Sequence, residues 1–297
     1  MKNKVLVILG PTATGKSDLA VILAKKFKGE VISADSRQVY KGLNLGTGKI
    51  TKKEMGGVKH HLLDATSPKK IFTVSEYQKL STQAIEEIIS RGRLPIICGG
   101  TGLYIDSVIS GVSFPEVPPN LKLRKQLENK TAVELFELLK KLDSRRAGEI
   151  DQNNPRRLIR AIEIAKFLGQ VPILEAKPPK YEVLKIGLNL PAEKLKKRIA
   201  IRLFARIREG MIGEAKKLHK QGLFWQRMES LGLEYRFMAR HLQGKITRGE
   251  MVKQLESEIW QYAKRQMTWF KRDKNIKWFE PAKSFRAIEK VTKSFLS

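Results

Sequence analysis

The apolar run Val5-Leu6-Val7-Ile8-Leu9 leads straight into Gly10-Pro11-Thr12-Ala13-Thr14-Gly15-Lys16-Ser17, and helical spacing begins at once afterwards with Leu19, Ala20, Ile22 and Leu23. These eight residues have the spacing G-x-x-x-x-G-K-[ST]. A buried strand, a glycine-bounded loop and a helix in that order leave few architectures open. The backbone N–H groups of such a loop and the start of the following helix face an anion, Lys16 adds a point charge, and the Ser17 hydroxyl can ligate Mg²⁺. The feature predicts a phosphate site. It does not say whether the phosphates belong to ATP or to a diphosphate leaving group.

The rest of the chain repeats the strand-then-helix order. Glu30–Ser33, His61–Leu63 and Leu94–Cys98 read as strands, and Lys16–Phe27, Thr73–Ser90 and Thr101–Ser110 as helices. Met1–Leu9 carries lysines and a short apolar run but leads into Gly-Pro-Thr, so it reads as the first strand and not as a targeting segment. The character changes around Pro115, Pro118 and Pro119. From Leu121 to Leu168 the pattern is helical and strongly charged, and Lys177-Pro178-Pro179-Lys180 reads as a hinge. Tyr181–Leu190 returns as a strand, Pro191–Leu223 reads as mostly one long basic helix, a helix covers about 249–271, and Lys277-Trp278-Phe279 is a last strand. The expected fold is α/β: a P-loop-type parallel sheet core flanked by helices (1–118 and 181–297) with a helical insertion (119–180). Ligands of such sheets sit at the carboxyl ends of the strands.

Charge narrows the partners. Residues 1–120 carry 17 basic and 10 acidic side chains, residues 121–297 carry 41 and 20, and the whole chain stands at +28. Such an excess suits a polyanion, because Lys and Arg on phosphates release condensed counterions; a solvated lysine-rich surface is the plainer alternative. No stretch approaches the ~20 apolar residues that span a bilayer. Cys98 is the only cysteine, which excludes a disulfide framework and a cysteine-based zinc site. A cytoplasmic location is expected. His60 and His61 are adjacent, and on a strand they point to opposite faces.

Several motifs fall at strand ends. Ser33–Tyr40 (SADSRQVY) puts Asp35 beside the phosphate loop, where on local grounds it is either a helix N-cap or a metal-binding acid. His60–Asp64 (HHLLD) ends in Asp64. Gly99–Tyr104 (GGTGLY) allows close backbone approach at its glycines and offers the Thr101 hydroxyl at a helix start. Arg156, Arg157 and Arg160 share a turn, Arg198 and Arg202 lie at i and i+4, and Lys264, Arg265, Lys271 and Arg272 alternate with Tyr262, Trp269 and Phe270. Cations and rings together suit phosphates and unstacked bases; each segment alone reads equally as an amphipathic helix with a solvated face.

Taken in order, G-P-T-A-x-G-K-S, S-A-D-S-R-Q-V-Y, H-H-L-L-D, G-G-T-G-L-Y, N-x-P-R-R-x-I-R-A-I-E and Y-A-K-R-Q-x-T-W-F resemble the bacterial tRNA dimethylallyltransferase family over about residues 4–272. The resemblance implies transfer of a dimethylallyl group from dimethylallyl diphosphate to N6 of the adenosine just 3′ of the anticodon, with Mg²⁺ as cofactor. It implies tRNA as partner and no membrane, and a monomer is expected. By the same resemblance the loop from Gly10 to Ser17 holds the leaving diphosphate, Asp35 is the base, Thr101 is a site residue and Arg202 contacts the diphosphate. RNA contact is implied at Asp35, Ser36, Arg37, Gln38, Thr101, Arg124 and the run Arg156, Arg157, Leu158, Ile159, Arg160. The chain departs from the family's pattern at Ser230–Arg236 (SLGLEYR), at Ile259-Trp260 and at Gly46–Thr51 (GTGKIT). An AMP- or ADP-specific isopentenyltransferase would share the core motifs but needs no strongly basic second half. A small-molecule P-loop kinase would leave S-A-D-S-x-Q-V-Y unexplained.

Overall fold

A computed structural model describes residues 2–112, 114–173, 178–281 and 284–297. The chain divides into two compact units, one of Met1–Gly111 with Pro178–Ser297 and one of Val112–Lys177. The first contains β1 (Asn3–Leu9), α1 (Lys16–Lys26), β2 (Gly29–Ala34), α2 (Lys52–Met55), β3 (His60–His61), α3 (Val74–Ser90), β4 (Leu94–Gly99) and α4 (Gly102–Ile109). The second contains α5 (Leu121–Leu127), α6 (Ala132–Leu142), α7 (Ser144–Glu149) and α8 (Pro155–Leu168). The first unit then resumes with β5 (Tyr181–Leu188), α9 (Ala192–Arg208), α10 (Met211–Lys220), α11 (Trp225–Leu231), α12 (Leu233–Leu242), α13 (Arg248–Phe270), β6 (Lys277–Phe279) and α14 (Phe285–Leu296).

Six strands form one all-parallel sheet in the order β3-β2-β4-β1-β5-β6. A parallel sheet is covered on both faces, so its central strands read as continuous apolar runs. In β1 the period-2 alternation sends Val5, Val7 and Leu9 into one core with Ile85, Leu203 and Leu255, and Leu6 and Ile8 into the other with Leu23 and Ile288. The helices covering the first face start cleanly. Thr73 with Glu76 and Thr247 with Glu250 make reciprocal capping boxes at α3 and α13. In the second unit Leu135, Leu139, Leu158 and Ile162 form a separate small core.

Several boundaries differ from the sequence reading. The long basic helix is two helices, because the chain turns at Gly210 (φ 101°) between α9 and α10. The strand expected at 61–63 is His60–His61, ended by Leu62 in the left-handed region (φ 62°). β5 stops at Leu188, two residues early, and α11, α12 and α14 are helices that the sequence reading did not assign. Met1 and Lys177, parts of the first-strand and hinge readings, lie outside the described residues.

The feature that matters for function is register. Ala34 of β2 pairs with Gly99 of β4, and Gly99 pairs with Leu9 of β1. The three strands therefore end level, and the residues that follow each start from one row. Gly99 makes this approach possible: a Cβ there would lie 2.1 Å from the Ala34 carbonyl oxygen. Gly99→Ala should destabilise the protein by about 1–3 kcal/mol, the usual cost of overpacking, read as a lower urea midpoint at unchanged m-value.

Candidate active site

The loop after β1 is shaped by its glycines. Gly10 sits at φ 139°, where a Cβ would meet the Leu188 carbonyl oxygen at 2.3 Å, and Gly15 sits at φ 88° as the left-handed N-cap of α1. Inside the loop the buried Thr14 hydroxyl donates to the Pro11 carbonyl at 2.9 Å, and the Lys16 ammonium donates to the same oxygen. Lys16 and Ser17 open the helix, with positive backbone ends facing out of the sheet edge.

Around this loop lies a cavity of about 420 Å³ whose walls include Lys16, Ser17, Asp35, Gly99, Arg198 and Arg202. Asp35 follows directly from β2. Its Oδ1 accepts from the Arg37 N–H at 2.8 Å and the Gln38 N–H at 3.3 Å, so it caps the turn at 36–39, which is not a helix. Among the described residues no hydrogen bond reaches Oδ2. The capping and chemical readings are thus compatible, each using one oxygen. Thr101 follows from β4, and its hydroxyl oxygen accepts from the Ser36 N–H at 3.1 Å, tying the two strand ends together. Gln38 also lines the cavity, with its amide N–H directed to the Gly48 carbonyl at 3.4 Å.

Two further residues come from α13, where the sequence suggested cations and rings on a surface. Gln266 is buried and bridges two loops: its Oε1 accepts from the Thr12 N–H at 2.9 Å and its Nε2 donates to the Gly100 carbonyl at 2.9 Å. One N–H of the phosphate loop is therefore satisfied by the protein itself. Tyr262 lines the cavity, and burial together with the Asp35 charge raises its phenol to about 12, so it stays protonated. The local spacing gave no sign of either role, because both depend on a helix far from the loop in sequence, with Gln266 lying 254 positions from Thr12. The other aromatic residues are structural. Phe270 is in the core, the Trp269 indole donates to Asp106 at 2.8 Å, and Arg265 and Arg272 stack over Tyr262 and Trp269.

Loss of hydration, with a smaller contribution from Arg202, lowers the Lys16 pKa from 10.5 to about 8. Cys98 lines the same cavity, but burial raises its thiol to about 12, which makes it a poor nucleophile. Asp64 is not among the lining residues; it pairs with Lys49 at 2.6 Å.

Mg²⁺ binds through one or two protein oxygens, keeps several waters and takes phosphate oxygens. The Ser17 hydroxyl, with the Asp18 and Asp35 carboxylates on the same cavity wall, suits that donor set. Among the described residues no group of three or more His, Cys, Asp or Glu forms an all-protein metal cage.

In the helical unit the implied RNA residues divide. Arg156 and Arg157 are exposed and pair with no carboxylate among the described residues. Arg124 grips Glu163 with two bonds of 2.9 and 2.7 Å, and Arg160 joins the same carboxylate and the Val117 carbonyl. Burial opposes the charge on Glu163, but the two guanidinium groups outweigh it and hold its pKa below the usual range. Leu158 is fully buried and Ile159 nearly so, which puts their side chains in the unit's core and leaves them no exposed face toward a partner.

The fold is that of a P-loop-type α/β protein, with the loop Gly10–Ser17 and the Asp35 carboxylate at one cavity. Residues 38–273 match the IPP transferase family. The chain is 49% identical over 276 residues to a Treponema denticola protein named tRNA dimethylallyltransferase 2, covering 91% of this chain and 92% of that one. A full-length tRNA isopentenylpyrophosphate transferase from Bacillus halodurans has a similar structure, with a TM-score of 0.75 at 38% identity over 99% of this chain and 97% of that one. A eukaryotic dimethylallyltransferase acting on tRNA gives a TM-score of 0.74 at 27% identity, covering 90% of this chain and 69% of that one. The chain belongs to the IPP transferase family.

Anion binding should follow the Lys16 charge. Below pH 8 the ammonium is present; as pH rises through about 8 it is lost, and affinity for inorganic diphosphate should fall. Lys16→Arg, which keeps its charge throughout, should lack that component. Calorimetric titrations of both proteins with diphosphate at pH 7 and 9 measure the difference.

Proposed function

We propose that this chain transfers a dimethylallyl group from dimethylallyl diphosphate to N6 of the adenosine just 3′ of the anticodon in tRNA, releasing diphosphate. The observation that supports the reading is the level row of strand ends. The phosphate loop, Asp35, whose Oδ2 has no hydrogen bond among the described residues, and the turn Gly99-Gly100 line one cavity, and the Thr101 hydroxyl ties the last two together. The N6 nitrogen forms a bond to C1 of the dimethylallyl group while the bond from C1 to the diphosphate oxygen breaks. An aromatic amine is a weak nucleophile, and the Asp35 carboxylate takes its proton. Charge developing on the diphosphate meets the loop N–H groups, Lys16 and Arg202. Mg²⁺, when bound through Ser17, supplies further charge neutralisation to the diphosphate. Thr101 holds the Asp35-Ser36 turn in place through the Ser36 N–H.

The adenine must leave the anticodon stack to reach Asp35. Arg156 and Arg157, with no internal carboxylate partner, supply phosphate contacts, and Ser36, Arg37 and Gln38 lie where the base enters. Arg124 and Arg160 contribute chiefly by holding the helical unit together through Glu163. Among the described residues no helix is long and apolar enough to cross a membrane. We read the active species as a cytoplasmic monomer.

Incubation with dimethylallyl diphosphate and either tRNA or AMP, followed by nucleoside mass spectrometry, tests the reading. Dimethylallyl-adenosine from tRNA alone is expected; product from AMP alone, or phosphate release from ATP, overturns it. Asp35→Asn keeps the caps to Arg37 and Gln38 but cannot take the proton. Single-turnover transfer should slow by ~10²–10⁴-fold at a nearly unchanged melting temperature. Arg157→Ala should weaken tRNA binding and reduce the log–log salt slope by about one, measured by filter binding at several salt concentrations.

A further inference from the structure

Ser230–Arg236, one of the stretches that depart from the resembled family's pattern, takes no part in the chemistry above. Two of its side chains nevertheless lead to a wall of the diphosphate cavity. That wall is the segment 44–48, from which Thr47 and Gly48 line the cavity. Glu214, on α10, accepts hydrogen bonds from three successive backbone N–H groups, those of Asn44 at 3.0 Å, Leu45 at 2.9 Å and Gly46 at 3.0 Å. The Tyr235 hydroxyl donates to the same carboxylate at 2.6 Å. Its ring occupies the space over Gly46, where a Cβ would lie 2.5 Å from a ring carbon.

The segment's carbonyls are held from another helix. Arg206 donates to Leu45 O at 3.2 Å and Gly46 O at 2.8 Å, and to Glu234 at 3.2 Å. Arg206 lies one helical turn beyond Arg202 on α9, so a single helix face offers one guanidinium to the cavity and the next to its wall. Glu234 and Tyr235, adjacent on α12, thus brace the two groups that grip the segment. A carboxylate receiving several N–H bonds is a strong anchor.

We propose that Glu214, braced by Tyr235, is a positioning residue for the transfer reaction, fixing the segment 44–48 as a rigid wall of the donor cavity. The proposal rests on reading this cavity as the diphosphate site. A displacement of about 1 Å in a positioning element costs about 10²-fold in rate, so the anchor governs the reaction without touching the substrate. Glu214→Gln removes the charge and turns an N–H₂ toward groups that are themselves donors. Tyr235→Phe removes a single hydroxyl and keeps the ring over Gly46.

The test compares wild type, Glu214→Gln, Glu214→Asp and Tyr235→Phe. For Glu214→Gln, kcat/KM for dimethylallyl diphosphate should fall about 10–100-fold, with tRNA affinity within twofold of wild type. Hydrogen-exchange protection should be lost at the amides of residues 44–46. Glu214→Asp should recover part of the rate, and Tyr235→Phe should show a smaller loss in the same direction. Unchanged kcat/KM or unchanged protection in Glu214→Gln overturns the proposal; if that variant does not fold, unchanged kcat/KM in Tyr235→Phe does so. Affinity for inorganic diphosphate, measured in parallel, separates the two readings. A wild type that binds diphosphate but transfers nothing counts against the reaction, whereas equal diphosphate affinity with equal protection in all variants counts against the anchor.

Discussion

Everything at the site depends on one backbone contact, the approach of Gly99 to the Ala34 carbonyl, which lets β2, β4 and β1 end at the same level. In a parallel sheet the connections leave from one edge, and level strand ends turn three separate loops into three sides of one cavity. The phosphate loop, the Asp35 turn and the Thr101 helix start are each ordinary in isolation. They become neighbours through a close approach at Gly99, where a Cβ would lie 2.1 Å from the Ala34 carbonyl oxygen. The Ser36–Thr101 and Thr12–Gln266–Gly100 hydrogen bonds then stitch the loops to one another.

The electrostatics follow from this crowding. Lys16 and Arg202 share a partly dehydrated cavity, and the cost appears as the lowered pKa of Lys16. The cavity walls carry both signs, with Lys16, Arg198 and Arg202 beside Asp18, Asp35 and Glu54. The Asp35 carboxylate uses Oδ1 to hold the turn, and among the described residues no hydrogen bond reaches Oδ2. The helical unit shows the opposite arrangement. There Glu163 gathers Arg124 and Arg160, so that part of the large positive charge is spent on internal structure. The guanidinium groups of Arg156 and Arg157 are exposed and pair with no carboxylate among the described residues.

Much of the site was legible because its motifs are local. The strand–loop–helix context predicted a phosphate loop, and the alternation of strands with helices predicted a parallel sheet, which the structure has. Asp35 was seen, although its choice between cap and acid was not resolvable from neighbours alone, since both readings need the same short polar side chain. The run 156–160 looked like one RNA-contacting unit, yet helical geometry sends Leu158 and Ile159 inward and Arg156 and Arg157 outward. The single long helix after Pro191 failed for a related reason. Its apolar period continues across Gly210, and the left-handed turn there interrupts the helix without interrupting the pattern.

The sequence by itself determined the α/β class, most of the sheet strands and the helices that follow them, a candidate phosphate loop and that a polyanion is a fitting partner, because these rest on periodicity, short-range spacing and summed charge. Tertiary structure decided which polar residues meet. Gln266 reaches the phosphate loop across 254 positions, and Glu214 reaches the 44–48 segment across about 170. The physical reason is that a hydrogen bond depends on distance in space, and chain spacing reports that distance only within a turn or two of a helix or along a single strand.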